Sequence, residues 1–280
     1  MFKAGAALAS ALAVAGVVAA IAMAQQPVPT VAVTASPTAV SAQVTGAIAA
    51  GPTRFTITRA RARLGLSVYF GLLNPGVSID ELQATLERDD RTRGSQALGL
   101  VSIQASAVLT RDETRRDVTF RLKPGLTYVM VSEPDTEGDN PPASRGISTF
   151  TTSAQSNGAT APRPDATVRM VDLRFRGATT LPRRGVVRFE NFGGVPHIAV
   201  AFPLRPRVTT AQFGRAIRSD NERAVARLLA GQPVGLQTLI SGGGASDDQQ
   251  VTFSRVGRYG LVCFFNEHHR LGMYRIVRVR

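Results

Sequence analysis

Cysteine is almost missing from this sequence: Cys263 is the only one in 280 residues. A single cysteine excludes an intrachain disulfide, so in an oxidising compartment its thiol is free, bridged to another chain or bound to a metal. Histidine is scarce as well, with three residues, His197, His268 and His269, and no Ser/His/Asp arrangement for nucleophilic catalysis stands out. There is no phosphate-cradling loop, because Gly193-Gly194 and Gly242-Gly243-Gly244 lack a strand-to-helix context. Asp247-Asp248 follows the second glycine run and reads as part of a loop rather than a calcium site. The net charge of +13 is carried almost entirely by arginine. Those arginines are scattered, with few aromatics between them and no nucleic-acid-binding motif, so nucleic acid is not the expected partner. No cysteine follows the apolar N-terminal run, which excludes a lipid anchor there.

What the chain does hold is a set of soft donors near its C-terminal end. Cys263, His268, His269 and Met273 fall in the run GRYGLVCFFNEHHRLGMYRIVRV, and His197 stands upstream in RFENFGGVPHIAV. A thiolate, two imidazoles and a weak thioether are the ligand set of a blue-copper electron-transfer site. The spacing Cys-x4-His-x4-Met places three donors around one short loop between two apolar runs that read as strands, while the fourth arrives from a distant strand.

On these residues, the segment from about 165 to 280 resembles the plastocyanin/azurin, or cupredoxin, family. Family members supply the first histidine from a strand ending in Asn-x-Gly-x-Pro-His, which Asn191 to His197 matches with one extra residue. Their last two strands flank a Cys…His…Gly-Met loop, matched by Cys263, His268, Gly272 and Met273. Ile198 stands where plastocyanins often have a polar residue, and Asn266 and Glu267 where the loop usually has proline or glycine. The resemblance implies one type 1 copper ion held by His197, Cys263, His268 and Met273. His268 is favoured over His269 because it keeps the plastocyanin-like His-x4-Met interval, and His269 is then expected on the surface beside the site.

The length calls for two domains, and a repeat divides the chain accordingly. Arg54-Phe55 aligns with Arg188-Phe189, Val118-Thr119-Phe120 with Val251-Thr252-Phe253, and Tyr128 to Ser132 with Tyr259 to Cys263. Ser78-x-x-Glu81, Thr209-x-x-Gln212 and Ser219-x-x-Glu222 read as helix-capping signals, so each copy is expected to carry a short helical insertion. The remainder is short Val/Phe/Tyr/Thr-rich runs broken by Gly, Pro and Asp. The expected fold class is therefore all-β: two tandem cupredoxin-like Greek-key β-sandwiches, a degenerate one over 25–150 and a copper-binding one over 168–280, joined by a polar linker over 151–167. The first copy has Arg63, Ser132, Pro142 and Ile147 at the ligand positions and is expected to hold no metal.

Lys3, an apolar run and Ala22-Met23-Ala24 read as a signal peptide over 1–24, placing the mature protein in the periplasm or cell envelope, or outside the cell. An uncleaved run would instead anchor it in the membrane. Two-domain cupredoxins include copper nitrite reductases and small laccases, whose further copper centres need several more histidines than the three present. A one-electron shuttle serving an acidic redox partner is thus expected rather than an enzyme. The alternative is a copper carrier, or a metal-free binding module of the envelope.

Overall fold

The structure, a computed structural model, describes residues 26–44, 46–60, 65–88, 93–135, 145–219, 221–231, 234–240 and 242–280. The segment 1–24 read as a signal lies outside the described residues, as do Arg63 and Pro142. Among the described residues no helix is long and apolar enough to cross a membrane.

The chain is mostly strand, and its second half repeats the element order of its first. Strands β1 (Thr30–Ser36), β2 (Ala39–Gln43), β3 (Ile48–Arg59) and β4 (Gly65–Leu73) precede helices α1 (Ile79–Glu87) and α2 (Arg93–Leu100). Strands β5 (Val101–Leu109), β6 (Arg115–Leu122), β7 (Thr127–Asp135) and β8 (Gly146–Ser156) complete the first half. The second half contains β9 (Ala166–Val171), β10 (Arg174–Gly177), a short β11 (Thr180–Leu181), β12 (Arg184–Asn191) and β13 (His197–Pro203). After α3 (Thr210–Arg218) and α4 (Glu222–Leu228) come β14 (Val234–Ile240), β15 (Ser246–Thr252), β16 (Gly257–Val262) and β17 (Tyr274–Val279).

Strand pairing repeats too. β3 runs parallel to β1 and antiparallel to β6, as β12 does with β9 and β15. β4 lies between β5 and β7, as β13 lies between β14 and β16. The repeated sequence signatures fall on matching core positions, with Phe55 and Phe189, Phe120 and Phe253, and Tyr128 and Tyr259 all buried. A buried tyrosine needs a partner for its hydroxyl. The Lys123 amide donates to Tyr128 Oη at 2.9 Å, and Tyr259 Oη donates to the Arg255 carbonyl at 2.9 Å, a few residues upstream in both halves.

The capping signals act at two of the three predicted places. Ser78 Oγ accepts from the Glu81 amide at 3.0 Å, and Thr209 with Gln212 closes a reciprocal capping box at the start of α3. At α4 the cap is Asn221 rather than Ser219, because Asn221 Oδ1 accepts from the Ala224 amide at 3.0 Å while Ser219 ends α3. The irregular stretch between the halves is also shorter than the polar run 151–167. Residues Thr151–Ser156 continue β8, whose Thr152 turns inward and donates to the Lys123 carbonyl at 2.7 Å.

The halves meet through more than that connection. β15 pairs with β12 on one side and with β6 of the first half on the other, extending one sheet across the seam. Asp247 and Asp248, read from sequence as loop residues, belong to this strand. Their side chains point to opposite faces. Asp248 forms a two-bonded pair with Arg188 at 2.7 and 2.9 Å. Asp247 is 1% exposed and faces the seam, where its Oδ2 accepts from Thr238 Oγ1 at 2.7 Å, Gln249 Nε2 at 2.8 Å and the Ser106 amide at 3.3 Å. Ser106 belongs to the first half, so this carboxyl ties the two together.

Burial outweighs those hydrogen bonds and pushes the Asp247 carboxyl up to about 7. The folded state then holds a proton that the unfolded chain releases near pH 4. This contribution to stability is complete below that pH and is lost as pH rises through 7. Urea unfolding of wild type and Asp247→Asn at pH 4 and pH 8 checks this. The stability of wild type relative to the variant falls between the two pH values by on the order of a few kcal/mol, whereas a pH-independent difference contradicts the assignment.

Candidate metal centre

His197 opens β13, and its orientation follows from strand alternation. His197, Ala199 and Ala201 turn inward, while Ile198 and Val200 are half-buried on the opposite face. The turn before His197 is held by Asn191, the last residue of β12, which is 1% exposed. Asn191 Oδ1 accepts from the Gly193 amide at 2.8 Å, and Nδ2 donates to the carbonyls of Val195 at 2.9 Å and Ile240 at 3.1 Å. Its backbone amide donates to Ala245. Gly193 lies so close to the imidazole that an added Cβ would sit 3.2 Å from His197 Nε2.

Cys263 follows the last residue of β16. Val200 lies opposite Val262 in the β13–β16 pair, which brings the start of β13 beside the end of β16. Val262 also lies opposite Tyr274, so β16 and β17 hold both ends of the loop between them. Backbone bonds tighten that loop, from the Cys263 amide to the Met273 carbonyl at 3.1 Å and from the Met273 amide to the His268 carbonyl at 2.9 Å. Residues Phe265–Glu267 form a single 3-10 turn. Asn266 and Glu267 take left-handed backbone angles, with φ of 39° and 59°. Asparagine tolerates this region, whereas for glutamate it costs about 1–2 kcal/mol. The positions where the sequence comparison expects glycine or proline are therefore the ones where the backbone makes an unusual turn.

The result is a buried cluster. The donor atoms of His197, Cys263 and His268 all lie within 4.8 Å of one another, and among the described residues this is the one such group of three. Cys263 Sγ is 3.5 Å from His268 Nδ1 and accepts a hydrogen bond from the Ile198 amide at 3.3 Å. The two imidazole centroids are 5.2 Å apart, with the rings tilted by 59°. Met273 is fully buried in the same core as Cys263. His269 is not at the surface as expected: it is 7% exposed and packs against the Phe264 ring at 5.2 Å. The loop turns back through its backbone bonds immediately after His268, which places the next side chain against the outer aromatic.

Two observations test whether these residues fit a metal. Both ring nitrogens of His197 are buried without a hydrogen-bond partner among the described residues, an unfavourable state for an imidazole that a metal bond relieves at one nitrogen. The electrostatics agree. Burial, then the nearby His268, lowers His197 to about 4, and burial with His269 beside it also lowers His268. Both rings are thus neutral near pH 7 and offer lone pairs without first losing a proton. Burial pushes the Cys263 thiol up, so it ionises when a cation arrives to balance the thiolate. One soft sulfur with two imidazoles is a donor set that fits copper.

Two supporting groups were not assigned roles from sequence. Asn191 was visible within the Pro-His motif, yet its bonds to Val195 and Ile240 depend on tertiary contacts. The Ile198 amide leaves no mark in side-chain identity, because any non-proline residue supplies it.

No protein-family model and no curated protein matches this chain. Solved structures do. Auracyanin B is 22% identical over 43% of this chain and 93% of its own, with a TM-score of 0.28. Auracyanin A, a "blue" copper protein from Chloroflexus aurantiacus, is 20% identical over 41% of this chain and 99% of its own, at 0.26. A multicopper oxidase is 12% identical over 90% of this chain and 88% of its own, also at 0.26. With TM-scores this low, the reading of the metal centre rests on the side chains alone.

Because Asn191 fixes the turn that presents His197, Asn191→Ala is expected to weaken copper binding roughly 10- to 100-fold. Competition against a chelator of known affinity measures this. An unchanged affinity in a folded variant would show that the turn holds His197 without that amide.

Proposed function

We propose that the mature, exported protein carries one type 1 copper ion in the second of two tandem cupredoxin-like Greek-key β-sandwiches and serves as a one-electron shuttle. The observation that carries this reading is the convergence of His197, Cys263 and His268 in one buried cluster between paired strands. Met273, buried in the same core as Cys263, would supply the weak thioether donor. A copper ion held there would accept and release a single electron, and it wants different geometries in its two oxidation states. The protein's part is to forbid most of that rearrangement. β16 and β17 clamp both ends of the Cys263 to Met273 loop, Asn191 fixes the approach to His197, and the Ile198 amide supports the thiolate. Burial of all three donors keeps bulk water from completing a different coordination shell.

The surroundings suit brief contact with a redox partner. Phe192 and Val195 on the loop before His197, and Phe264 and Leu271 on the Cys263 to Met273 loop, are exposed apolar side chains on the two loops that deliver the ligands. An open recess of about 620 Å³ beside Leu271 and Gly272 is bordered by Arg174, Arg176 and Arg275. An apolar contact edged by arginine favours an acidic partner.

The reading predicts one copper per chain, an intense thiolate-to-Cu(II) visible band and a reversible voltammetric wave. Cys263→Ser abolishes both band and wave, whereas Met273→Leu keeps the colour and moves the potential. Two coppers per chain, or a copper-loaded wild type with no reversible wave, contradicts the shuttle; a colourless but tightly bound copper points to a carrier.

A further inference from the structure

The first half contains an apolar cavity of about 110 Å³ between its helices and its sheet, at the seam with the second half. Leu82 and Leu86 of α1, Val101 and Ile103 of β5, Val131 of β7 and Leu239 of β14 form most of its wall. One flank is polar. Tyr69 Oη donates to Glu133 Oε1 at 2.9 Å, Arg145 Nε donates to Glu133 Oε2 at 2.9 Å, and Arg145 Nη1 donates to the Leu86 carbonyl at 2.6 Å. A charge-compensated carboxylate thus borders an otherwise hydrocarbon space.

The repeat places corresponding residues between helix and sheet in the second half, where they pack differently. Counting from the caps Ser78 and Thr209, the fourth residue is Leu82 in α1 and Phe213 in α3. Counting from the matched tyrosines, the residue beneath is Val129 in the first half and Gly260 in the second. Phe213 lies directly over Gly260, where an added Cβ would come within 2.2 Å of the ring. In the second half the Phe213 ring occupies the space left open by Gly260, whereas in the first half Leu82 and Val129 share one apolar cluster and the open volume lies to the side, towards Tyr69, Ala97 and Val131.

We propose that this cavity binds a single-ring molecule bearing one hydroxyl group, of the phenol class. The pocket is half open to solvent, and its volume of about 110 Å³ holds one aromatic ring, against the ~150 Å³ of closed, Leu/Ile/Phe-lined cavities that take up benzene. The apolar wall accepts the ring, and Glu133 keeps acceptor capacity for an incoming hydroxyl beyond the bonds from Tyr69 and Arg145. An added hydrogen bond to a charged acceptor contributes enough to separate a hydroxylated ring from its plain hydrocarbon. The site also backs onto the metal centre. Leu239 lies opposite Ile198 in the β13–β14 pair, and the Ile198 amide is the one bonded to Cys263 Sγ.

Two-dimensional NMR titration of the full mature protein with phenol, and separately with toluene, tests the assignment. Phenol is expected to give saturable shifts at amides around the cavity, Leu239 and Ile198 among them, and to bind roughly tenfold more tightly than toluene. Leu82→Phe, which enlarges a residue of the cavity wall, is expected to abolish binding while leaving a dispersed, folded spectrum. Should that variant unfold, Ala97→Leu fills the same cavity from α2. Absence of saturable phenol binding to the folded wild type, or phenol binding undiminished in a folded cavity-filling variant, overturns the proposal. Equal affinity for phenol and toluene overturns the role given to Glu133.

Discussion

The register between β13 and β16, with Val200 facing Val262, is the constraint on which the rest of the site depends. Side chains alternate across a strand, so a slip of one residue would turn His197 and Cys263 away from each other and expose the donors. Small residues make this approach possible. Ala199 and Ala201 follow His197 on the inward face, and they share their core with Leu261 and Cys263. The Ile198 amide, pointing across from the same strand, then reaches Sγ as a consequence of that register rather than as a separate device.

The first half supports the second in two ways. Its sheet continues into the second half through β6 and β15, and Asp247 closes that junction with bonds that reach back to Ser106. A further apolar cluster gathers Leu82, Val101, Ile103, Val129 and Val131 from the first half with Leu239 from the second, and Ile198 and Phe265 pack at its edge. Ile198 follows one ligand and Phe265 lies between the other two. Packing in the first half thus bears directly on residues that aim the donors, which gives a physical reason for a repeat with different residues at the ligand positions to remain attached.

Much of this was legible in the chain itself, because soft donors at short spacing and repeated aromatic signatures are local patterns. Cys263 and His268 could be paired from their interval and His197 from the resemblance of its Pro-His turn, and Ser78 and Thr209 marked their helices because capping acts within one turn. The parts that escaped are those set by distant contacts. Asp247 looks like a loop residue until β6 pairs with its strand, and His269 looks exposed until the loop folds it onto Phe264. At α4 two capping residues stood close together, and the choice of Asn221 over Ser219 depended on where α3 ends. In the first half Ser132 takes the place of Cys263 and is buried, donating to the Ser36 carbonyl at 2.8 Å, so the repeat preserves an inward-pointing position there while changing its chemistry.

The central claim is that this protein holds copper in a preformed shell of one sulfur and two imidazole nitrogens that its strands keep nearly fixed. Copper-edge X-ray absorption on the loaded protein, recorded in both oxidation states, addresses it most directly. The account predicts one short copper–sulfur and two copper–imidazole contacts in each state, with little change between them. A shell lacking sulfur, or one that rearranges on reduction, would contradict it.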